Sequence, residues 1–150
     1  ANYIAPLVSG GKHCEAHLLK AVKSYDNTQV LAVGNTDPKN TVDISGEALT
    51  AVKKGMHDLT TTGSLAPYFK DCVVDAGAKT GTAQVNKDTE NNGVFVCFAP
   101  YDDPEIAVAI VIEQGGSGSA LASTAVNILN AYFSADEVGT AILGENQLMQ

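Results

Sequence analysis

The stretches Val94-Phe95-Val96-Cys97-Phe98-Ala99 and Ile106-Ala107-Val108-Ala109-Ile110-Val111-Ile112 decide the fold of this sequence. Unbroken apolar runs of this length predict strands that are covered on both faces. Residues 100–104 lie between the two runs with a proline at each end, which predicts a turn and an antiparallel pair. A third strand is predicted over residues 79–85, with the run 94–99 at the centre of the sheet.

Helices are predicted on both sides of these strands in the chain. Before them, apolar residues recur at helical spacing between an N-capping Ser45 and a terminating Gly63: Leu49, Val52, Met56 and Leu59. His57 falls on the polar face of this helix. A second apolar stripe follows the glycines of residues 115–118: Leu121, Ala125, Ile128, Leu129 and Tyr132. Antiparallel strands with helices between and after them predict an α+β fold, an antiparallel sheet flanked by helices.

The remaining segments are shorter. Residues 1–8 predict the end of a helix stopped by Gly10-Gly11, and residues 17–33 predict a hairpin that turns at Asp26-Asn27. Residues 34–45 and the region around Pro67 are predicted to be loops. We expect one domain over residues 1–133 and a polar C-terminal tail over residues 134–150.

The composition restricts the classes of function. The 150 residues are 45% hydrophobic, which is enough for the core of one domain. Nine basic against 17 acidic residues give a net charge of −8, so the chain lacks the basic surface that nucleic-acid binding requires. No apolar run approaches the roughly 20 residues of a membrane helix. The sequence shows neither an initiator Met nor a signal-peptide pattern, and we expect a piece of a longer polypeptide.

Cysteine and histidine residues favour structural roles. Cys14, Cys72 and Cys97 are too few and too scattered for a disulfide framework, and Cys97 lies inside an apolar run that predicts burial. His13 and His17 flank a cysteine and a glutamate, but the preceding glycines predict extended chain, where this spacing does not bring metal ligands together. We expect solvated histidines, no metal and no cofactor.

The clearest chemical motif is Lys79-Thr80-Gly81-Thr82, which opens the first of the three strands. A strand edge of this kind suits an acyl substrate that carries a carboxylate, because Lys79 offers a positive charge and both threonines offer hydroxyl donors. Gly81 would let a ligand lie against the backbone, and the N–H of Thr82 could face a developing oxyanion. An ordinary exposed strand start explains the same residues equally well, so the motif alone leaves both interpretations open.

The sequence disfavours two nucleotide-binding motifs, because each lacks a glycine that the motif requires. A phosphate-binding loop requires glycine directly before the lysine, where this chain has Ala78, and it leads into a helix rather than a strand. The glycines of residues 115–118 lack the last glycine of a dinucleotide-binding fingerprint, because position 121 is leucine. No serine stands in a G-x-S-x-G elbow either.

Several stretches together resemble the class B penicillin-binding proteins, the D,D-transpeptidases that cross-link peptidoglycan. In order along the chain they are residues 1–12 with His17-Leu18-Leu19, Lys54-Gly55-Met56, residues 79–84, residues 95–100 and residues 115–118. The similarity covers roughly residues 1–133 and implies the C-terminal part of a β-lactamase/transpeptidase-like fold. Ala16, Val94 and Cys97 stand where the family commonly has Pro, Trp and Gly.

Two catalytic motifs of that family are missing. The first, S-x-x-K, is matched in letters only by Ser9-x-x-Lys12, where two glycines prevent the helical turn that aims the lysine at the serine. The second, S-x-N, does not occur, and Tyr25-x-Asn27 is explained by the hairpin turn. The resemblance therefore implies that the nucleophilic serine and its lysine lie upstream of this chain, which we expect to be inactive alone.

The resemblance also assigns roles to the strand motif. Lys79 and Thr82 would be catalytic: Lys79 supports the proton network, and the N–H of Thr82 completes the oxyanion hole. Lys79, Thr80, Gly81 and Thr82 would bind the substrate. The implied partners are D-Ala-D-Ala stem peptides, β-lactams and the rest of the same domain. The implied location is the outer face of the bacterial cytoplasmic membrane, held there by an anchor outside this chain, in wall synthesis that serves cell shape or division.

Two alternatives share the motif. A serine β-lactamase or β-lactam sensor also carries K-T-G, and a domain of this fold could serve protein contacts without catalysis. The stretches 1–12 and 54–56 favour the transpeptidase. The strand over Ile106–Ile112 is expected to present an unpaired apolar edge, so we expect the isolated chain to dimerise or to exist within a longer polypeptide.

Overall fold

The computed structural model describes residues 2–142, with side chains described through residue 134. Its elements in chain order are α1 (Ile4–Val8), β1 (Lys12–Cys14), β2 (Ala21–Lys23), β3 (Val30–Val33), β4 (Pro38–Thr41), α2 (Gly46–Thr61), α3 (Ala66–Phe69), β5 (Gly77–Ala83), β6 (Asn92–Ala99), β7 (Ile106–Ile112), the 3-10 turn η1 (Gly118–Leu121) and α4 (Ala122–Ile142). The fold is α+β, as predicted.

The central sheet has the strand order β5-β6-β7, and both pairs are antiparallel. Strand β6 is therefore the middle strand, which confirms the prediction made from its apolar run. Phe95, Cys97 and Phe98 all have 0% exposure, although Phe95 and Phe98 point to opposite faces. Burial on both faces is the reason that this strand lacks the usual alternation of polar and apolar residues.

Helices cover the two faces of this sheet unequally. On one face the larger core joins β6 to η1 and α4 through residues such as Phe95, Leu121 and Leu129. On the other face a smaller cluster joins Phe98 to α1 and α2 through Ile4 and Met56. The strand motif of β5 therefore lies in a sheet with a helix layer on each side. None of the described helices combines the length and apolar character needed to cross a bilayer.

Helix α2 has the predicted start, and its predicted apolar stripe is buried or half-buried at Leu49, Met56 and Leu59 but not at Val52. The Ser45 hydroxyl accepts a hydrogen bond from the Ala48 N–H, as expected of an N-cap. Val52, predicted to be in the core, is 47% exposed. The neighbouring Lys53 instead places its ammonium 5.4 Å from the ring centroid of Tyr101. The prediction for Val52 was wrong because the covered side of the helix extends from Met56 toward Lys53 rather than toward Val52.

His57 is also more enclosed than the helical pattern predicts. Its ring stacks on Tyr101 with 4.1 Å between centroids, and its Nε2 atom is buried without a hydrogen-bond partner among the described residues. The expectation of a polar, solvent-facing position was therefore wrong. The turn between β6 and β7 folds back over α2 and brings Tyr101 onto this histidine.

A buried hydroxyl fastens α2 to the start of the site strand. The Oγ1 atom of Thr60, which is 4% exposed, lies 2.6 Å from the carbonyl oxygen of Ala76 and 2.8 Å from that of His57. Exposed Thr61 makes a comparable 2.9 Å contact to the same His57 carbonyl. Of these two threonines, Thr60 is the one whose hydroxyl links the helix to the strand region.

We predict that Thr60→Val destabilises the protein by about 1–2 kcal/mol, because the buried Ala76 carbonyl loses its donor. Thr61→Val is the matched control and should change stability by less than about 0.5 kcal/mol, since its side chain is exposed. Thermal or urea unfolding of the full-length protein measures both. Equal effects of the two substitutions would show that the contact to Ala76 contributes nothing special.

The predicted loops contain two short elements. Strand β4 lies within residues 34–45 and pairs with β1, with Lys12 opposite Thr41 and His13 opposite Asn40. Its sequence, Pro-Lys-Asn-Thr, is polar and fully exposed, so it has no hydrophobic pattern that could reveal it. The region around Pro67 forms helix α3, with the proline in its first turn, where a missing N–H costs nothing.

The N-terminal predictions are confirmed and the C-terminal one is modified. Helix α1 ends before Gly10 and Gly11, both at positive φ, and the β2–β3 hairpin turns through Asn27 at φ 57°. Helix α4 continues to Ile142, so the first part of the predicted tail is helical. Residues 143–150 of that tail lie outside the described residues, and the domain boundary after residue 133 stays a prediction.

Candidate functional site

The candidate motif lies in the middle of β5, at the edge of the central sheet. Within the described part of the chain β5 pairs only with β6, so the opposite edge of β5 faces no strand. Lys79 and Thr82 are exposed, whereas Thr80 and Gly81 are half-buried. The register sets Lys79 opposite Val96 and Thr82 opposite Gly93. The motif is thus accessible along one side of a strand whose other side is fully paired.

The side chains of the motif divide between the two faces of the sheet. Because side chains alternate along a strand, Lys79 lies on the face of α2, while Thr80 and Thr82 lie on the face of α4. The charge of Lys79 and the two threonine hydroxyls therefore do not start from the same face of the sheet. The Lys79 side chain turns along the strand, and its Nζ donates to the carbonyl oxygen of Thr80. The lysine thus approaches the threonines by folding along the backbone.

Lys79 carries a charge that its described surroundings do not neutralise. Among residues 2–134, the ion pair within 4.0 Å joins Lys54 to Asp58 on α2, and no described carboxylate pairs with Lys79. In Lys54 the pKa is raised, because Asp58 accepts its hydrogen bond and attracts its charge. Lys79 is consequently the ammonium of the motif that is available to an anionic ligand.

Gly81 is packed against neighbouring residues on both faces of β5. A Cβ atom added there would lie 3.3 Å from the Cβ of Val94 on one face. On the other face the backbone of Gly118 in η1 packs against it, since a Cβ on Gly118 would lie 2.3 Å from the carbonyl oxygens of Gly81 and Val94. A ligand therefore reaches this backbone along the free edge of β5. Glycine at position 81 serves close packing as well as access.

The connection before α4 is the part of the site that the sequence analysis missed. Among its glycines, Gly118 packs directly against Gly81 of the motif, whereas an added Cβ on Gly116 would meet no atom within 4 Å. The signal available in the sequence was the similarity of residues 115–118 to the glycines before the last helix of the family. That similarity did not indicate which strand they contact.

Ser9 and Lys12 do not form a catalytic pair. The Ser9 hydroxyl donates to the backbone carbonyl of Lys12 at 3.0 Å, directly after the end of α1. Gly10 and Gly11 have φ values of 71° and 88°, so the backbone between the two residues is not helical. The structure confirms that this match to S-x-x-K is one of letters only.

The histidines and cysteines lie apart from the motif. His13 contacts the Asn40 side chain at 3.1 Å through Nδ1 and the Asn2 side chain at 3.2 Å through Nε2, so both ring nitrogens meet amide groups. His17 is exposed and lies outside the strands. Cys97 is fully buried, as predicted, and its burial raises the pKa of the thiol to about 12.

Two cavities of about 500 and 440 Å³ flank α1 and β1, and no residue of β5 lines either of them. The larger includes Ser9, Lys12 and Cys14, and the smaller includes Tyr3 and His13. Neither cavity therefore includes the accessible edge of β5.

An antiparallel sheet between two helix layers, with a Lys-Thr-Gly segment on its edge strand, is the arrangement that the resemblance to acyl-transfer domains implied. The family model of the penicillin binding protein transpeptidase domain matches residues 1–132. The chain belongs to this family, and its relatives assign it to the transpeptidase region of class B penicillin-binding proteins. The resemblance stated from the sequence is confirmed.

Three relatives illustrate the extent of the similarity. The peptidoglycan D,D-transpeptidase MrdA of Escherichia coli (strain K12) is 30% identical over 156 residues, covering 93% of this chain and 24% of that protein. The structure of penicillin-binding protein 2B from Streptococcus pneumoniae (strain R6) matches with a TM-score of 0.73 and 22% identity, over 87% of this chain and 23% of that one. An imipenem acyl-enzyme complex of penicillin-binding protein A from M. tuberculosis matches with a TM-score of 0.65 and 19% identity, over 85% and 29%.

The chain spans about a quarter of the length of these relatives. The solved structures share the fold of the sheet and its helices, and the sequence relatives share the family. The curated names among them describe transpeptidases and penicillin-binding proteins rather than β-lactamases.

Proposed function

We propose that this chain is the C-terminal part of a class B peptidoglycan D,D-transpeptidase. It supplies the β5 edge of a serine acyl-transfer site, and the nucleophilic serine comes from a preceding part of the same polypeptide. The observation that carries the proposal is the accessible Lys79–Thr82 segment on a free sheet edge, in a chain that belongs to the transpeptidase family.

The reaction assigns a task to each group of the edge. The serine Oγ gives up its proton to a neighbouring base and attacks the carbonyl carbon of the penultimate D-Ala. The C–O bond of the acyl-enzyme forms, the peptide C–N bond breaks, and the terminal D-Ala leaves with the proton. The amine of a second stem peptide then attacks the ester and releases the serine. The N–H of Thr82 stabilises the oxyanion formed at each attack.

The separation of the side chains onto two faces suits two different tasks. Thr80 and Thr82 share one face and hold the terminal carboxylate of the substrate through their hydroxyl groups. Lys79 starts on the opposite face and brings its ammonium to the edge beside the Thr80 carbonyl. From there it attracts the substrate carboxylate and supports the proton network around the serine.

Several properties follow for the whole protein. Its substrates are stem peptides that end in D-Ala-D-Ala, and β-lactams acylate it because they mimic this terminus. It acts at the outer face of the bacterial cytoplasmic membrane. The chain alone is inactive because the nucleophile is supplied from elsewhere. Its β7 edge, with Val111 63% and Ile112 45% exposed, pairs with the rest of the domain or with a second copy.

Labelling with a fluorescent penicillin tests the proposal. The full-length protein should form a covalent adduct that carries the whole penicillin and hydrolyses slowly, whereas the 150-residue chain should stay unlabelled. Labelling of the isolated chain would place the nucleophile within it and contradict the proposal. Rapid turnover of penicillin by the full-length protein would instead identify a β-lactamase, and the absence of any adduct on the folded protein would identify a non-catalytic domain.

A further inference from the structure

Residues 113–118, the connection between β7 and η1, are tied to the start of β6 by two hydrogen bonds. The N–H of Gln114 donates to the side-chain oxygen of Asn92 at 2.9 Å, and the N–H of Gly116 donates to the carbonyl oxygen of Asn91 at 2.8 Å. The first of these bonds joins residues 22 positions apart through a side chain. Asn92 therefore fastens a distant connection to the sheet.

The same connection packs against both neighbours of Thr82. A Cβ on Gly93, which lies opposite Thr82 in the sheet, would be 3.5 Å from the carbonyl oxygen of Ser117. Gly118 presses on the backbone of Gly81, the residue before Thr82, as described above. Residues 117 and 118 thus lie against Gly93 and Gly81, the residues opposite Thr82 and directly before it, while the Thr82 side chain stays exposed.

The backbone of this connection is strained at Gln114. Gln114 has φ 52°, a left-handed conformation that is unfavourable for residues other than glycine, asparagine and aspartate. The Asn92 side chain accepts the hydrogen bond from this strained residue. Removing this acceptor leaves the strained Gln114 without that hydrogen bond, and of the two bonds described above only the one between Gly116 and Asn91 then remains.

We propose that Asn92 is a positioning residue for acylation: it holds residues 113–118 behind Gly81 and Gly93 and so keeps the backbone of Thr82 aimed at the reacting carbonyl. The proposal rests on the function proposed above. Strand β5 has only one strand neighbour in the described part of the chain, and an oxyanion donor contributes fully only when its position is preorganised. The packing of residues 113–118 against β5 supplies the positioning of the Thr82 N–H that a second strand neighbour would otherwise give.

Acylation of the full-length protein by penicillin tests the role of Asn92. Asn92→Ala should lower the maximal acylation rate about tenfold, with the half-saturating penicillin concentration changed less than about twofold, because Thr82 acts on the transition state. Asn92→Asp keeps an acceptor oxygen and should retain at least about half of the wild-type rate.

Asn86 provides a matched control in the β5–β6 connection. Its side-chain oxygen also accepts from a backbone N–H at 2.9 Å, but that donor is the nearby Asp88. Asn86→Ala should leave the acylation rate unchanged. If Asn92→Ala does not fold, Asn92→Ser, whose oxygen lies one bond closer to the backbone, replaces it with the same expected loss.

Each outcome separates the two proposals. Wild-type rates in Asn92→Ala overturn the positioning role while leaving the transpeptidase function intact. An equal loss in Asn86→Ala and Asn92→Ala overturns it as well, because the effect would then be general to this region. If the folded wild-type protein is not acylated at all, the proposed function fails and the positioning role fails with it.

Discussion

Replacing Lys79 with alanine in the full-length protein is expected to lower the second-order rate of acylation by penicillin about 10³-fold. In the proposed function, Lys79 supplies the ammonium that attracts the substrate carboxylate and supports proton transfer at the serine, and positioned acid–base groups contribute about 10²–10⁴-fold. Lys79→Arg should recover only part of the rate, because a guanidinium keeps the charge but scarcely gives up a proton. Stopped-flow or quenched labelling with fluorescent penicillin measures these rates.

Lys87→Ala is the matched control for this prediction. Lys87 is also exposed and follows the same strand, but it lies outside the motif. Its replacement should leave the rate unchanged. The stability of Lys79→Ala should remain within about 0.5 kcal/mol of the wild type, since Lys79 is exposed and forms no ion pair with the described residues. A Lys79→Ala protein that acylates within about threefold of the wild-type rate would contradict the assigned role.

Gly118→Ala should destabilise the protein by about 3 kcal/mol. The added Cβ would lie 2.3 Å from two backbone carbonyl oxygens, those of Gly81 and Val94, and 3.0 Å from the Gly81 nitrogen. Backbone atoms of a paired sheet cannot rotate away as a side-chain tip can, so η1 and the start of α4 must shift outward from β5 and β6. Overpacking of this kind costs about 1–3 kcal/mol, and more where the neighbours cannot move.

Gly116→Ala distinguishes this clash from a general effect of substituting glycine in the connection. Gly116 has φ 72° and no neighbouring atom within 4 Å of an added Cβ, so its replacement costs only the conformational strain, about 1 kcal/mol. The midpoint of thermal unfolding of the full-length protein compares the two. A smaller loss in Gly118→Ala than in Gly116→Ala would show that η1 does not press against β5 as described.

The elements that were predicted correctly are those whose own residues carry a clear pattern of hydrophobicity or capping. The strands β6 and β7 were both located by their apolar runs. In β6 the run reflects burial on both faces, but the predicted burial of β7 was wrong, since only Val108 is buried there and Val111 and Ile112 are exposed at its end. Helix α2 was located by its spacing and its capping serine. Strand β4 was missed because its residues are polar, exposed and few, and its only strand-forming feature is the partner β1, which lies elsewhere in the sequence.

The side of α2 that packs against the sheet was only partly predictable. Periodicity predicts that one stripe is buried, but Val52 and Lys53 are neighbours on the helix, and either could border that stripe. The turn that carries Tyr101 covers the side of Lys53 and His57 and leaves Val52 in solvent. That choice depends on a turn formed after two further strands, which the helix sequence does not encode.

The amino-acid order alone was sufficient to identify the family, the fold class and the Lys79–Thr82 strand, because these depend on short patterns of residue type and spacing. The opposite orientation of Lys79 and the two threonines also follows from strand alternation. The support of Thr82 by Gly118 and by the hydrogen bond between Asn92 and Gln114 emerged only from the folded chain. Contacts between residues far apart in sequence arise when the strands pair and the last helix packs, and no local pattern records them.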